Sequence, residues 1–456
     1  MRASQSLLNY IGTLPEAPKN GNPLSASTIT ANPQSRYQVT NVLANQTEAT
    51  YKFATDAWRH TAVAGVEVSQ ETAKIDKYTG LSSEALGGAP ASGSVPGVSV
   101  FNPQYTFLPF GTPSLSGFPT KVGIDTTSAY LLDTANFNDL VILNGGVRYD
   151  DYTIKVNGYG TVGTTPNVFG AQEQHYGLPN FNLGMVLKPM PIASVYAAYA
   201  TSSNPVGAEF DGTSVQYGGI APSLNGNPNQ IFGPEQNKAI EVGTKWELFD
   251  RHLLLSAALF QTEKENARES RNVTSTANQT ASCPFVAPSV SCISAGAAYR
   301  IRGIDLEAGG KITDKWSLFG GLVLMQSEVT RSLIPPANTI LYTSNVGLPL
   351  ANVAHQSFSL LTKYQLTDIW ELGGRAVYRS KIYGGTFLAA NQGTSLPSYW
   401  RFDAFAEAKV NKNWTVKLFV SNIFDKRYYD ALYQSAAPFV LEAPGRAAYL
   451  VVSARY

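Results

Sequence analysis

The sequence predicts an all-β chain, a transmembrane antiparallel β-barrel of the outer-membrane type. Three observations point there: apolar and polar residues sort by parity in segment after segment, short polar turns alternate with long Gly/Pro/Ser-rich stretches, and tryptophan collects beside the short turns. Composition agrees. Of 456 residues only 15% are charged, while Tyr (24), Phe (21) and Gly (39) are abundant; soluble domains carry roughly 25% charged residues. Basic (34) and acidic (33) residues cancel to a net charge of +1, which gives no electrostatic basis for nucleic-acid binding. The longest apolar run, Leu253 to Phe260, is far short of the roughly 18 residues that span a bilayer as a helix.

The elements follow in chain order. Met1 to Leu8 carries one cation and no apolar stretch, so it does not read as a secretory signal peptide; Ala3 to Thr13 reads as a first strand. Ala62, Ala64, Val66 and Val68 oppose Glu67 and Ser69, and Val141, Leu143, Val147 and Tyr149 oppose Asn144, Arg148 and Asp150. Between Lys238 and Trp246, Ile240, Val242 and Trp246 oppose Glu241 and Lys245. From Trp400 to Val410 the even positions are Trp400, Phe402, Ala404, Ala406, Ala408 and Val410, and the odd ones Arg401, Asp403, Phe405, Glu407 and Lys409. A period of 3.6 would scatter these charges around a helix; a period of 2 sorts them. The last segment, Arg446 to Tyr456, sets Ala448, Leu450, Val452, Ala454 and Tyr456 on one face. About fifteen strands are legible after Tyr37, and the one at Ala3 to Thr13 makes an even number, with both ends on the short-turn side.

Short turns are predicted near Thr55-Asp56, Asn136-Asn138, Met190-Pro191, Phe249-Asp250-Arg251, Thr313-Asp314-Lys315, Thr367-Asp368 and Asn411-Lys412-Asn413. Long connections are predicted at residues 14–35, 76–119, 157–176, 204–234, 269–297, 331–352 and 385–397. Long loops at one end and tight turns at the other distinguish an outer-membrane barrel from a soluble sandwich. Trp58, Trp246, Trp316, Trp370 and Trp414 lie at the short turns, where an aromatic belt meets the headgroups, and Trp400 follows a long loop. Core tryptophans of a soluble β protein are the plainer alternative.

Several long segments then resemble one family. IEVGTKWELFD (240–250), LLLSAALFQTEKENARE (253–269), RIRGIDLEAGGKITDKWSLFGGLVLMQSEV (300–329), YWRFDAFAEAKVNKNWTVKLFVSNIFDKRYYD (399–430) and PGRAAYLVVSARY (444–456) look like the C-terminal barrel of TonB-dependent siderophore receptors, the catecholate branch above all. The likeness covers the whole chain and is densest from Phe232 onward. Such receptors have a twenty-two-stranded barrel closed by a plug, preceded by a signal peptide and a TonB-contacting segment. The resemblance therefore implies that residues 1–456 are a barrel portion of about sixteen strands without plug or signal peptide, open along one side. It further implies a ferric siderophore ligand, outer-membrane lipid around a monomer, the TonB–ExbB–ExbD complex acting on the full-length receptor, and Tyr456 as the signal read by the barrel-assembly machinery.

No catalytic or metal constellation is legible: His60, His175, His252 and His355 are scattered, and no cofactor is implied. Cys283 and Cys292 share one long loop and read as a loop-closing disulfide in an oxidising setting, or as free thiols otherwise. The polar-face charges Glu67, Asp150, Glu241, Asp305, Glu307, Arg375, Arg401, Asp403, Glu407 and Lys409 read as a wet, cross-paired lumen. A ferric catecholate is anionic and aromatic, so its vestibule calls for cations beside aromatic rings. The candidates at the long-loop ends are Arg268, Arg271, Arg300, Arg302, Arg331, Arg379, Lys381, Tyr383, Tyr399, Trp400 and Arg401. Three other readings stand beside the receptor: a passive sixteen-stranded porin, a truncated relic without transport, and a soluble β-rich binding or adhesion protein.

Overall fold

The computed structural model describes residues 1–16, 28–81, 95–99, 113–162, 165–205, 233–273, 276, 290–336, 343–386, 389–433 and 439–455. Seventeen strands share one sheet. One of them, Val95–Ser99, is short and joins the outer end of a neighbour; the others form a continuous antiparallel meander. It begins with β1 (Arg2–Glu16), β2 (Thr28–Thr55), β3 (Trp58–Asp76), β4 (Thr120–Phe137), β5 (Val141–Val162) and β6 (Thr165–Met190). It continues through β7 (Ala193–Asn204), β8 (Glu235–Leu248), β9 (Leu253–Val273), β10 (Val290–Lys311) and β11 (Trp316–Arg331). It ends with β12 (Gln356–Gln365), β13 (Trp370–Arg379), β14 (Tyr399–Lys409), β15 (Trp414–Ser421) and β16 (Ala447–Ala454). Each strand pairs with its predecessor, and among the described residues no pairing joins β1 to β16. The sheet thus keeps two open edges, as the gapped barrel predicted, and in lipid such edges carry unsatisfied backbone groups that must be covered.

All seven predicted short turns occur, and all lie at one end. Three of them use the same device. The side chains of Thr313, Thr367 and Asn411 accept the backbone N–H of Trp316, Trp370 and Trp414 at 3.1, 3.0 and 3.0 Å, while each of these Trp carbonyls accepts an N–H from the preceding strand end. A Thr or Asn three residues before a Trp therefore closes the turn and makes that Trp the first residue of its strand. Asp56 (φ 51°), Asn138 (φ 49°) and Asp139 (φ 58°) fill left-handed positions that Asn and Asp tolerate.

Several predicted loops are shorter than expected because strands run into them. The sequence predicts a loop over residues 157–176; instead β5 and β6 stay in register up to Gly160 opposite Val168 and, after a shift, pair Val162 with Thr165. The physical reason lies on their inward face, where Tyr152, Ile154, Val156 and Leu178 pack with Ala73, Ile75, Val122 and Ile124 in a buried apolar cluster, so the hairpin is held by a core of its own above the band. Likewise β9 and β10 extend to Val273 and from Val290, and residues 385–397 take part in a ribbon of Ile382–Thr386 and Ala389–Leu396.

The two faces of the sheet differ as the parity requires. On the outward face Val66, Leu131, Val147, Leu183, Ile240 and Leu259 are exposed; on the inward face charged groups cross-pair. Arg148 binds Asp150 (2.7 Å) and Glu67 (3.1 Å), Lys417 binds Glu407 (3.5 Å), and Tyr196 donates to Glu241 (2.6 Å). This sorting has a measurable consequence. Val147, 59% exposed beside Leu131 and Phe181, is expected to cost about 2 kcal/mol when replaced by Arg, as a cation on a lipid face does. Urea titration of the chain folded into phosphatidylcholine vesicles reads the cost; an unchanged midpoint would place this face in water.

Candidate functional site

At the long-loop end of β13 to β15 the inward face gathers cations and rings. Arg379 ends β13 directly opposite Tyr399, which begins β14. Two residues along, Arg401 follows on the same face, and Asp403 after it, because successive odd positions of a strand share a side. The chain beyond β15 then folds back over this face through a buckle built by SNIFD (421–425). Asn422, buried and at φ 49°, closes it with its side-chain amide: it accepts Lys426 N–H and donates to Lys426 O, both at 2.9 Å. Asp425 accepts Arg446 N–H at 2.8 Å, which ties the far end of the same loop. The buckle is fixed to the sheet by Asp403, whose carboxylate accepts the Asn422 N–H at 2.9 Å and Arg401 Nη2 at 3.1 Å.

The returning loop lays Tyr428, Tyr429 and Asp430 on the strands. Tyr399 and Tyr428 pack with ring centroids 4.4 Å apart, and the Arg379 guanidinium lies 4.9 Å from the Tyr399 centroid. Arg379 donates to the Tyr429 carbonyl at 2.9 Å and to the Asp430 carbonyl; Tyr399 Oη donates to Asp430 Oδ1, and Arg401 Nη1 to Tyr428 Oη, both at 3.3 Å. The Nε of Arg379 and of Arg401 are buried without a hydrogen-bond partner among the described residues. Two guanidinium groups and two packed phenols, balanced by the carboxylates of Asp403 and Asp430, thus form a layer that combines cations with aromatic rings.

The other candidates are distributed differently. Trp400 stands on the opposite face from Arg401, stacked with Phe402 (5.9 Å), tilted against Tyr378 (4.8 Å) and edge-on to Phe358 (5.9 Å); strand parity separates it from the inward layer. Arg300 and Arg302 share the parity of the exposed Ile304 and Leu306 and also face outward. With Glu328, Pro349 and Tyr383 they border a cavity of about 350 Å³, and Lys381 lies 4.7 Å from the Tyr383 ring. Arg268 is buried beside Glu269, whose carboxylate accepts the hydroxyl of Ser332 and the N–H groups of Leu333 and Ile334. Arg331 donates to the Gly296 carbonyl. Of Arg271 and Cys292 only the backbone is described, and Cys283 and Tyr456 lie outside the described residues. Trp58, Trp246, Trp316, Trp370 and Trp414 all stand within three residues of a short turn.

Tyr428 and Asp430 were not among the candidates, since no parity pattern runs through residues 422–446. The signal present was the polar dipeptide Ser421-Asn422 ending an alternating strand, a turn former ahead of a long connection. The four histidines stay apart, and among the described residues no group of three His, Cys, Asp or Glu could hold a metal.

A sequence profile for the family described as TonB dependent receptor-like, beta-barrel matches residues 5–423. The chain is 32% identical over 467 aligned positions to the probable TonB-dependent receptor BfrD of Bordetella pertussis, covering 100% of this chain and 58% of that protein. It is 30% identical to the probable TonB-dependent siderophore receptor PiuA of Acinetobacter baumannii, covering 90% of this chain and 52% of the other. With the catecholate siderophore receptor Fiu of Escherichia coli K12 the identity is 26%, covering 86% of this chain and 48% of that protein. In three dimensions it matches the closed form of the ferric-catecholate import receptor Fiu with a TM-score of 0.80 at 22% identity, over 100% of this chain and 61% of that one. The crystal structure of PiuA matches with a TM-score of 0.76 at 26% identity and the same coverage. The chain spans about half to three-fifths of the length of these relatives.

Proposed function

Because this chain belongs to the TonB-dependent receptor β-barrel family, we propose that residues 1–456 are the barrel portion of an outer-membrane receptor for a ferric siderophore of the catecholate class. The observation that carries this reading is the inward layer of Arg379, Tyr399, Tyr428 and Arg401 at the long-loop end. Guanidinium groups offer charge-assisted hydrogen bonds to catecholate oxygens, and the paired phenols offer aromatic surface to catechol rings. The relatives named as catecholate or siderophore receptors support the same substrate class.

Uptake in the full-length receptor then depends on force from the TonB–ExbB–ExbD complex, with this barrel as wall and ligand vestibule. The five tryptophans of the short turns serve as the periplasmic aromatic belt of a monomer in outer-membrane lipid, Tyr456 as the assembly signal, and Cys283 and Cys292 as a loop disulfide. Quenching of tyrosine and tryptophan fluorescence in the purified chain tests the ligand class. A ferric tris-catecholate is expected to bind at least about tenfold more tightly than a ferric tris-hydroxamate, a gap of about 1.4 kcal/mol; equal affinities would overturn the catecholate assignment.

A further inference from the structure

We propose that the outward face of β8 to β12 holds one anionic lipid, with its phosphate on Arg302 and an acyl chain in the groove beneath. The groove measures about 850 Å³ and runs over Ile240, Val242, Leu259, Ile304 and Leu324, all of them exposed. Its upper rim is a single cross-strand row, Gln261 opposite Arg302 opposite Gln326. The next row down is Leu259 opposite Ile304 opposite Leu324. On β9 to β11 polarity therefore reverses within one two-residue step, about 7 Å, which is the step between the headgroup and the first methylenes of a lipid; at the flanks Ile240 of β8 stands in the upper row and Gln356 of β12 in the lower.

Charge selects the sign of the headgroup. One row above the rim, Arg300 is taken by Glu328 and by Glu263 at 3.9 Å, and Lys238, beside them, by Glu265 at 2.8 Å. Arg302 is exposed and makes no hydrogen bond or ion pair with any described residue. Its guanidinium is flanked by the carboxamides of Gln326 and of Gln261, whose Nε2 donates one N–H to Glu263 at 3.0 Å and keeps the second for the same oxygens, a geometry that favours phosphate. A zwitterionic headgroup would bring its own ammonium to compete for that phosphate, and a second copy of the chain would have to match a single unpaired cation above an aliphatic channel. Lipid with net negative charge satisfies both halves of the groove at once.

Native mass spectrometry of the full chain in a neutral maltoside detergent tests this, with phosphatidylglycerol as probe against phosphatidylcholine, inorganic phosphate and dodecanol. One phosphatidylglycerol is expected to be retained, with the other three at least about tenfold weaker. Arg302→Gln and Ile304→Trp are each expected to reduce retention about tenfold, one by removing the charge and the other by filling the channel, while Arg302→Lys and Lys238→Gln keep most of it. Equal retention of phosphatidylcholine, or wild-type retention by Ile304→Trp, would overturn the site. So would equal retention by Arg302→Gln; should that variant fail to fold, the comparison of headgroups and Ile304→Trp decides alone.

Discussion

Replacing Asp403 by alanine is expected to destabilise the chain by about 3 kcal/mol and to release the loop between β15 and β16. The Asp403 side chain is 1% exposed and faces Arg401, which is 26% exposed. Removing the carboxylate leaves a partly buried guanidinium short of its counter-charge and the buried Asn422 N–H without an acceptor. Breaking one partner of a buried pair costs about 3–5 kcal/mol, and the partial exposure of Arg401 puts this case at the lower limit. Asp403→Asn keeps an acceptor for Asn422 but not the counter-charge of Arg401, and should cost about 2 kcal/mol, the worth of a hydrogen bond to a charged group. Urea unfolding gives the energy, and trypsin cutting after Lys426 and Arg427 reports the loop. Wild-type behaviour in both would show that the buckle does not hang on Asp403.

The second large effect concerns the ligand. Arg379→Gln combined with Arg401→Gln is expected to weaken ferric tris-catecholate binding about a hundredfold, since each charge-assisted bond contributes about 1.5 kcal/mol and 1.4 kcal/mol is tenfold. Both arginines touch the same returning loop, through the Tyr429 and Asp430 carbonyls and through Tyr428 Oη, so the two losses are not independent and the pair must be compared with each single variant. The trypsin assay separates causes. Weaker binding with an intact loop assigns the loss to direct contact, and weaker binding only where the loop is cut assigns it to position. Full affinity in the double variant would remove this layer from the binding site.

Much of the architecture was legible in the sequence because its determinants are local. The alternation at Ile240 to Trp246 and Trp400 to Val410 fixes which residues share a face, and a Thr or Asn three residues before Trp316, Trp370 and Trp414 closes a turn by itself. The motif segments of the barrel carried the family, which the profile over residues 5–423 agrees with. The cations and rings at the long-loop ends were legible by type and by end, but not by side. Parity was available for Trp400, yet proximity to Arg401 in sequence grouped the two, although adjacent residues of a strand point to opposite faces.

Sequence alone thus determined an antiparallel meander of alternating strands, its seven tight turns at one end and its apolar outer face, since each depends on residues within a few positions of one another. Tertiary structure decided that residues 157–162 and 165–176 pair as strands, because Tyr152, Ile154 and Val156 find a core with strands far away in the chain. It also decided that residues 422–430 fold inward onto Arg379 and Tyr399, through Asp403 and a buried asparagine amide. A buried polar group is stable only where its partner arrives, and that partner comes from a distant stretch of chain that no local pattern announces.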